Sequence, residues 1–151
     1  MTVHHFTPTT YYRTIGSHPP VLEIASGDSV VTTTVDNMGC DASGNQVTQS
    51  GNPQTGPFFV TGAQPGDTLA VVFDKIQPNR SYGHSGSVVA TALVEPAYVK
   101  GLPDRSRSHW ELDVENRVAI LTQPETKLGR YSVPLRPMLG AFGVAPTREQ
   151  S

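Results

Sequence analysis

Any chemistry in this chain would have to rest on carboxylates, because the other reactive side chains are poorly spaced for it. The five histidines, His4, His5, His18, His84 and His109, form no HxH, HExxH or cysteine-paired zinc pattern. His4 and His5 would point to opposite faces of a strand. His18 precedes two prolines, which fix it either as a hydrogen-bonding group of a turn or as a catalytic imidazole. His84, in a glycine-flanked loop, is open to both readings. No serine sits in a GxSxG elbow, and no glycine-rich phosphate loop is present. The one cysteine, Cys40, lies in a polar stretch without an evident activating neighbour and reads as an incidental thiol. Asp28 and Asp67 each follow a glycine, a setting in which aspartate commonly binds nearby backbone N–H groups. Asp36 differs, because it closes a β-branched strand and faces a long polar loop. A carboxylate there can act as a general base, serve as a hard-metal ligand, or cap the loop.

The elements that would position Asp36 are strands and turns. Residues 21–25 (VLEIA) read as a strand, residues 26–28 as a turn, and residues 29–36 (SVVTTTVD) as a second, β-branched strand. If that strand is regular, Asp28 and Asp36 share a face, with Val30 and Thr32 between them. A glycine-bearing loop over residues 37–52 is long enough to be functional or mobile. It leads into residues 52–67, NPQTGPFFVTGAQPGD, whose three prolines admit no helix and whose only charge is Asp67. Residues 68–76 (TLAVVFDKI) then read as a strand. The pattern of strand, Gly-Asp turn and strand thus occurs twice, 39 residues apart between Asp28 and Asp67. Solenoids need more units, so the expectation is two similar hairpins.

The remainder of the chain extends this picture. Residues 4–6 open a short strand, residues 77–87 form a loop, and residues 88–94 form a strand apolar enough to be buried on both faces. One helical turn is expected over residues 97–100. Trp110, Leu112 and Val114 alternate with Glu111, Asp113 and Glu115 before Asn116 turns the chain into residues 118–121, a hairpin signal. No stretch sustains a helical period. With 14 glycines and 13 prolines spread along it, the chain is expected to be one all-β domain over residues 1–151, a β-sandwich with little helix.

Composition also excludes partners. A net charge of −2, with no basic cluster beyond the RSR at residues 105–107, gives no reason to expect nucleic acid or an anionic membrane surface. No apolar run reaches the ~18 residues of a bilayer span, and the first residues lack the basic and apolar regions of a signal peptide. Cys40 alone cannot form an internal disulfide and suits a reducing compartment, so a cytoplasmic protein is expected.

Three stretches taken together resemble one family. Residues 18–36 (HPPVLEIASGDSVVTTTVD), 51–83 (GNPQTGPFFVTGAQPGDTLAVVFDKIQPNRSYG) and 133–146 (VPLRPMLGAFGVAP) are similar, in order and spacing, to the N-terminal half of the acetamidase/formamidase family. The resemblance implies a jelly-roll-like β-sandwich fold, oligomeric assembly, and hydrolysis of short linear amides such as formamide and acetamide to the carboxylate and ammonia. It implies a catalytic role for Asp36, and substrate binding at the Asn-Pro-x-Thr-Gly-Pro corner through Asn52, Thr55 and Gly56. A turn-holding role for these corner residues stays open beside it.

The chain also departs from the family's pattern. Family chains are roughly double this length, and their second half carries Gly-Gly-Asn-Met-Asp and Gly-Asp-Gly-His motifs that hold most of the polar groups able to bind a metal or activate water. Neither motif is in this sequence. Residues 84–96 (HSGSVVATALVEP) replace an Ala-Pro-Asn-Val-Val-Asp-Pro-like segment. The expectation is therefore an amidase that needs a complementary C-terminal subunit and a divalent metal ion of unassigned identity, with homo-oligomerisation as the other partner mode. The alternative is a non-catalytic binding or assembly module derived from the family, with residues 138–144 left to pair with another chain.

Overall fold

Short strands dominate the computed structural model, which describes residues 1–86, 90–102 and 106–146. Contacts divide the chain into two units, one of residues 1–76 with the segment from Leu139 onward, the other of residues 77–138. The all-β character expected from the sequence is what forms, with helix confined to 3-10 turns among the described residues.

In the first unit, β1 (Val3–Phe6) runs parallel to β4 (Ser29–Thr32), and β3 (Leu22–Ile24) runs parallel to β6 (Phe58–Val60). Between these pairs in the chain, β2 (Tyr11–Tyr12) meets β5 (Gln54–Thr55) antiparallel. Parallel neighbours need long connections, and residues 25–57 supply the one between β3 and β6. Phe6 and Phe58 join the two parallel pairs edge to face, with centroids 5.4 Å apart.

The Gly-Asp turn after β3 owes its shape to two residues. Gly27 takes φ +88°, open to glycine at little cost. Asp28 donates its N–H to the Ala25 carbonyl (3.1 Å), while its carboxylate accepts the N–H groups of Ala25 (3.1 Å) and Thr2 (2.7 Å). His4 Nε2 donates to the same carboxylate at 3.0 Å. One side chain thus fastens the turn to β1. The second Gly-Asp turn repeats the device: Gly66 has φ +98°, the Asp67 N–H donates to the Gln64 carbonyl (3.0 Å), and the Asp67 carboxylate accepts the Gln64 N–H (2.8 Å).

The expected hairpins do not form around these turns. The strands flanking the first turn, β3 and β4, pair with β6 and β1 and not with each other, so the turn is a corner between sheets. β4 also ends at Thr32, short of Asp36. Beyond it the backbone serves the loop: the Thr33 carbonyl accepts the Thr55 hydroxyl, and the Asp36 N–H donates to the Cys40 carbonyl. Residues 68–76 form no ladder either. Phe73 rests edge-on against Phe142, centroids 5.1 Å apart, within the same unit.

The second unit is an antiparallel meander in the order β10 (Ser132–Pro134), β9 (Val118–Gln123), β8 (Arg107–Asp113) and β7 (Tyr82–Gly86). Trp110 and Leu112 turn inward and Glu111 outward, as their alternation predicts. Ala119, opposite Leu112, is the one buried hydrophobic side chain among the described residues, and it keeps 8% of its surface exposed. Trp110 donates its indole N–H to the Ser85 hydroxyl at 3.0 Å and meets the Tyr131 ring edge. At the β8–β9 turn, the Asp113 carboxylate accepts both the N–H and the side-chain amide of Asn116 at 2.8 Å, and Arg117 follows with φ +57°.

Two expectations for this unit are corrected. His84 is not in a loop: it lies in β7, opposite His109 of β8, because pairing with Arg107–Asp113 recruits the glycine-rich segment into the sheet. The strand expected at residues 88–94 becomes a 3-10 turn at Thr91–Leu93, whose Leu93 N–H bonds to Ala90; Val88 and Val89 lie outside the described residues. The helical turn expected at 97–100 is present as the 3-10 segment Pro96–Gly101. No helix among the described residues is long and apolar enough to cross a membrane.

The Asp28 cluster has a pH signature. The bond from His4, then those from Ala25 and Thr2, hold its carboxyl down to about 2 from an ordinary 3.8. A folded-state value below the unfolded one contributes stability that is complete above about pH 4 and is lost as pH falls through about 2. Asp28→Asn is therefore expected to lower the urea midpoint at pH 5, with the wild-type and variant midpoints converging as the pH approaches 2.

Candidate functional site

The polar loop after β4 is built on two aspartates. Asp36 Oδ1 accepts the N–H groups of Met38 and Cys40, both at 2.9 Å, and the Gly39 N–H donates to the Asp36 carbonyl. Asp41 does the same one turn later, accepting Ser43 and Asn45 at 2.9 Å. Side chains of this length fold back on their own backbone readily, which is why they favour such turns. The returning chain is then tied to the outgoing one. The Gly39 carbonyl accepts Val47 (2.9 Å) and Thr48 (3.3 Å), and the Asn37 carbonyl accepts Gly51 (3.0 Å) and Asn52 (3.2 Å).

These bonds bring the expected site residues to one corner. Asn52 stands one hydrogen bond away from the residue after Asp36, and Thr55 donates its hydroxyl to the Thr33 carbonyl at 3.3 Å. Gly51 (φ +116°), Asn52 (φ +57°) and Gly56 (φ +116°) shape the corner, which ends in a cis Gly56–Pro57 bond. Pro53 and Gly56 are buried, Thr55 is half-buried, and Asn52 is exposed. Gln54 Nε2 donates to the Asn52 carbonyl at 2.6 Å. The Asn52 carboxamide itself makes no hydrogen bond to a described residue.

Beside this corner stands β2 with its Tyr-Tyr-Arg run, which the spacing of reactive side chains does not mark. β2 pairs Tyr11 with Thr55 and Tyr12 with Gln54. The Tyr12 ring lies flat on the His18 imidazole, centroids 3.9 Å apart and 5° from parallel, and His18 Nε2 bonds the Thr14 hydroxyl at 2.9 Å. His18 is thus a braced group of the turn. Arg13 runs alongside Gly51, where an added Cβ would meet its Cδ at 3.2 Å, and no acidic partner faces it among the described residues. Burial, with the negative charge of Asp41 adding to it, pushes the Tyr11 hydroxyl up. A legible signal was the Tyr-Tyr-Arg run set a few residues before His-Pro-Pro.

Among the described residues, the corner therefore offers a carboxylate turned onto its loop, a carboxamide and a guanidinium without partners, and a braced imidazole. It can hydrogen-bond a small polar molecule and attract an anionic one. It does not by itself fit a metal ion: among the described residues no three of His, Cys, Asp and Glu gather to hold one. In the other unit, an open groove of about 300 Å³ beside Trp110, Leu112, Ala119 and Val133 is lined mainly by apolar groups.

Substitutions separate the two roles of Asp36. Asp36→Ala removes the acceptor of two backbone N–H groups and is expected to cost about 1–3 kcal/mol. Asp36→Asn keeps an acceptor oxygen and is expected to lose under ~1 kcal/mol, both read from urea midpoints. Gly39→Ala is expected to destabilise more than Asp36→Asn, since φ is +81° and the new methyl would run into the Thr48 carbonyl.

No protein-family model matches the chain, and neither a curated protein nor a solved structure does.

Proposed function

We propose that the chain forms one wall of an amide-hydrolysing site of the acetamidase/formamidase type, completed by a complementary polypeptide. The observation that carries this reading is the corner itself: loop bonds tie Asn52 to Asn37 beside Asp36 and Thr55 to Thr33, and the Asn52 carboxamide has no partner among the described residues. A carboxamide both donates and accepts, so it complements a short linear amide, which does the same. Hydrolysis needs an activated water, donors for the developing oxyanion and an acid for the departing amine. In this reading Asn52 and the Thr55–Gly56 main chain orient the substrate. The groups that activate water, with any divalent ion, belong to the partner. Cys40 as a free thiol is in keeping with a cytoplasmic setting.

One observation favours a second reading, a scaffold of the same family without chemistry. Asp36 Oδ1 is already committed to Met38 and Cys40, as a loop cap would be.

Ammonia release from formamide and acetamide decides between them. The chain alone is expected to give none. Mixed with a separately produced C-terminal half of an acetamidase, it is expected to turn over, and Asn52→Ala to reduce kcat/KM about tenfold, the loss of one substrate hydrogen bond. Silence of the mixture, with both polypeptides folded by circular dichroism, establishes the scaffold reading instead.

A further inference from the structure

The two Gly-Asp corners are alike in every bond within the turn, yet the segments that leave them differ. After the first, β4 pairs with β1 along four residues. After the second, residues 68–75 make no hydrogen bond, through backbone or side chain, to any described residue. That segment is also apolar and exposed: Leu69 40%, Val71 52%, Val72 80% and Phe73 49%. Unpaired backbone groups along an exposed apolar segment are a template for another strand.

The sequence of the segment specifies what pairs with it. It begins at Asp67 and ends at Lys75, with Val71 midway. Two antiparallel copies centred on Val71 would set Asp67 of each opposite Lys75 of the other. Leu69 would face Phe73, and Val71 would face itself on the two-fold axis. On the other side of the ribbon Ala70 would face Val72, and Thr68 would face Asp74. Opposite charges meet at both ends, and apolar residues meet throughout the middle. Neither Asp67 nor Lys75 has an ion-pair partner among the described residues. A two-fold contact of this kind is self-complementary and closes on a dimer.

We propose that residues 67–75 are the dimerisation strand of this protein, pairing antiparallel with a second copy in the register centred on Val71. The contact does not depend on whether the chain hydrolyses amides.

Light scattering and sedimentation on the full chain test it. The expected mass is twice 16.2 kDa. Asp67→Lys and Lys75→Asp are each expected to weaken the dimer about tenfold, because like charges then meet at both ends. The double variant is expected to restore it, which a mere folding defect would not allow. In a Cys40→Ser background, Val71→Cys is expected to give a disulfide-linked dimer on mild oxidation faster than Val72→Cys, whose sulfurs would sit diagonally. A monomer at all concentrations, a double variant no tighter than the single ones, or faster cross-linking at position 72 overturns the proposal. Ammonia release is read separately, so either result leaves the amidase reading to its own assay.

Discussion

Aspartate binding its own turn is the interaction on which the rest of this structure depends. Asp28, Asp36, Asp41, Asp67 and Asp113 each accept one or more backbone N–H groups within their turns. Such charge-assisted bonds are stronger than neutral ones and fix the direction in which the chain leaves. They matter more here than in a well-cored domain, because among the described residues Ala119 is the one buried hydrophobic side chain and no side chain is fully buried. With little apolar burial to select a conformation, turn chemistry and short ladders decide which strands meet.

Both units follow from that constraint in different ways. In the second, Asp113 and Asn116 close a tight turn, so neighbours in sequence become neighbours in the sheet and a meander results. In the first, Asp28 fastens its corner to Thr2 and His4, which commits β4 to β1 and frees β3 to take β6. The same carboxylate thus blocks the local hairpin and selects the parallel arrangement. Asp36 and Asp41 then coil the following loop, delivering Asn52 back to the place where the loop began.

What was legible in the sequence is what local chemistry controls. Gly27-Asp28 and Gly66-Asp67 announced turns, the Trp110–Leu112 alternation announced a half-buried strand, and β-branched Val30, Val31 and Thr32 announced β4. Partner choice was not legible, because it depends on His4 and Thr2 reaching Asp28 from 24 and 26 residues away. Nor was the end of β4: Thr33, Thr34 and Val35 have strand-forming side chains, but the Thr33 carbonyl is drawn to Thr55 instead. For the corner, the loop bonds that return Asn52 to Asn37, and the Thr55 hydroxyl to the Thr33 carbonyl, join residues 15 and 22 positions apart and leave no local pattern. Tyr12 stacked on His18 was not legible either, since stacking leaves no periodic trace in a chain.

The parallel pairing of β3 with β6 carries an evolutionary consequence. The corner and its loop are strung between β4 and β6, held in register by their ladders with β1 and β3. Lengthening such a connection costs only a logarithmic increment of closure entropy. Insertions and deletions between Thr32 and Gln54 would therefore reshape the loop while the β1–β4, β3–β6 and β2–β5 ladders stay in register. In a chain held by short ladders, the loop between them is where length can change at least cost.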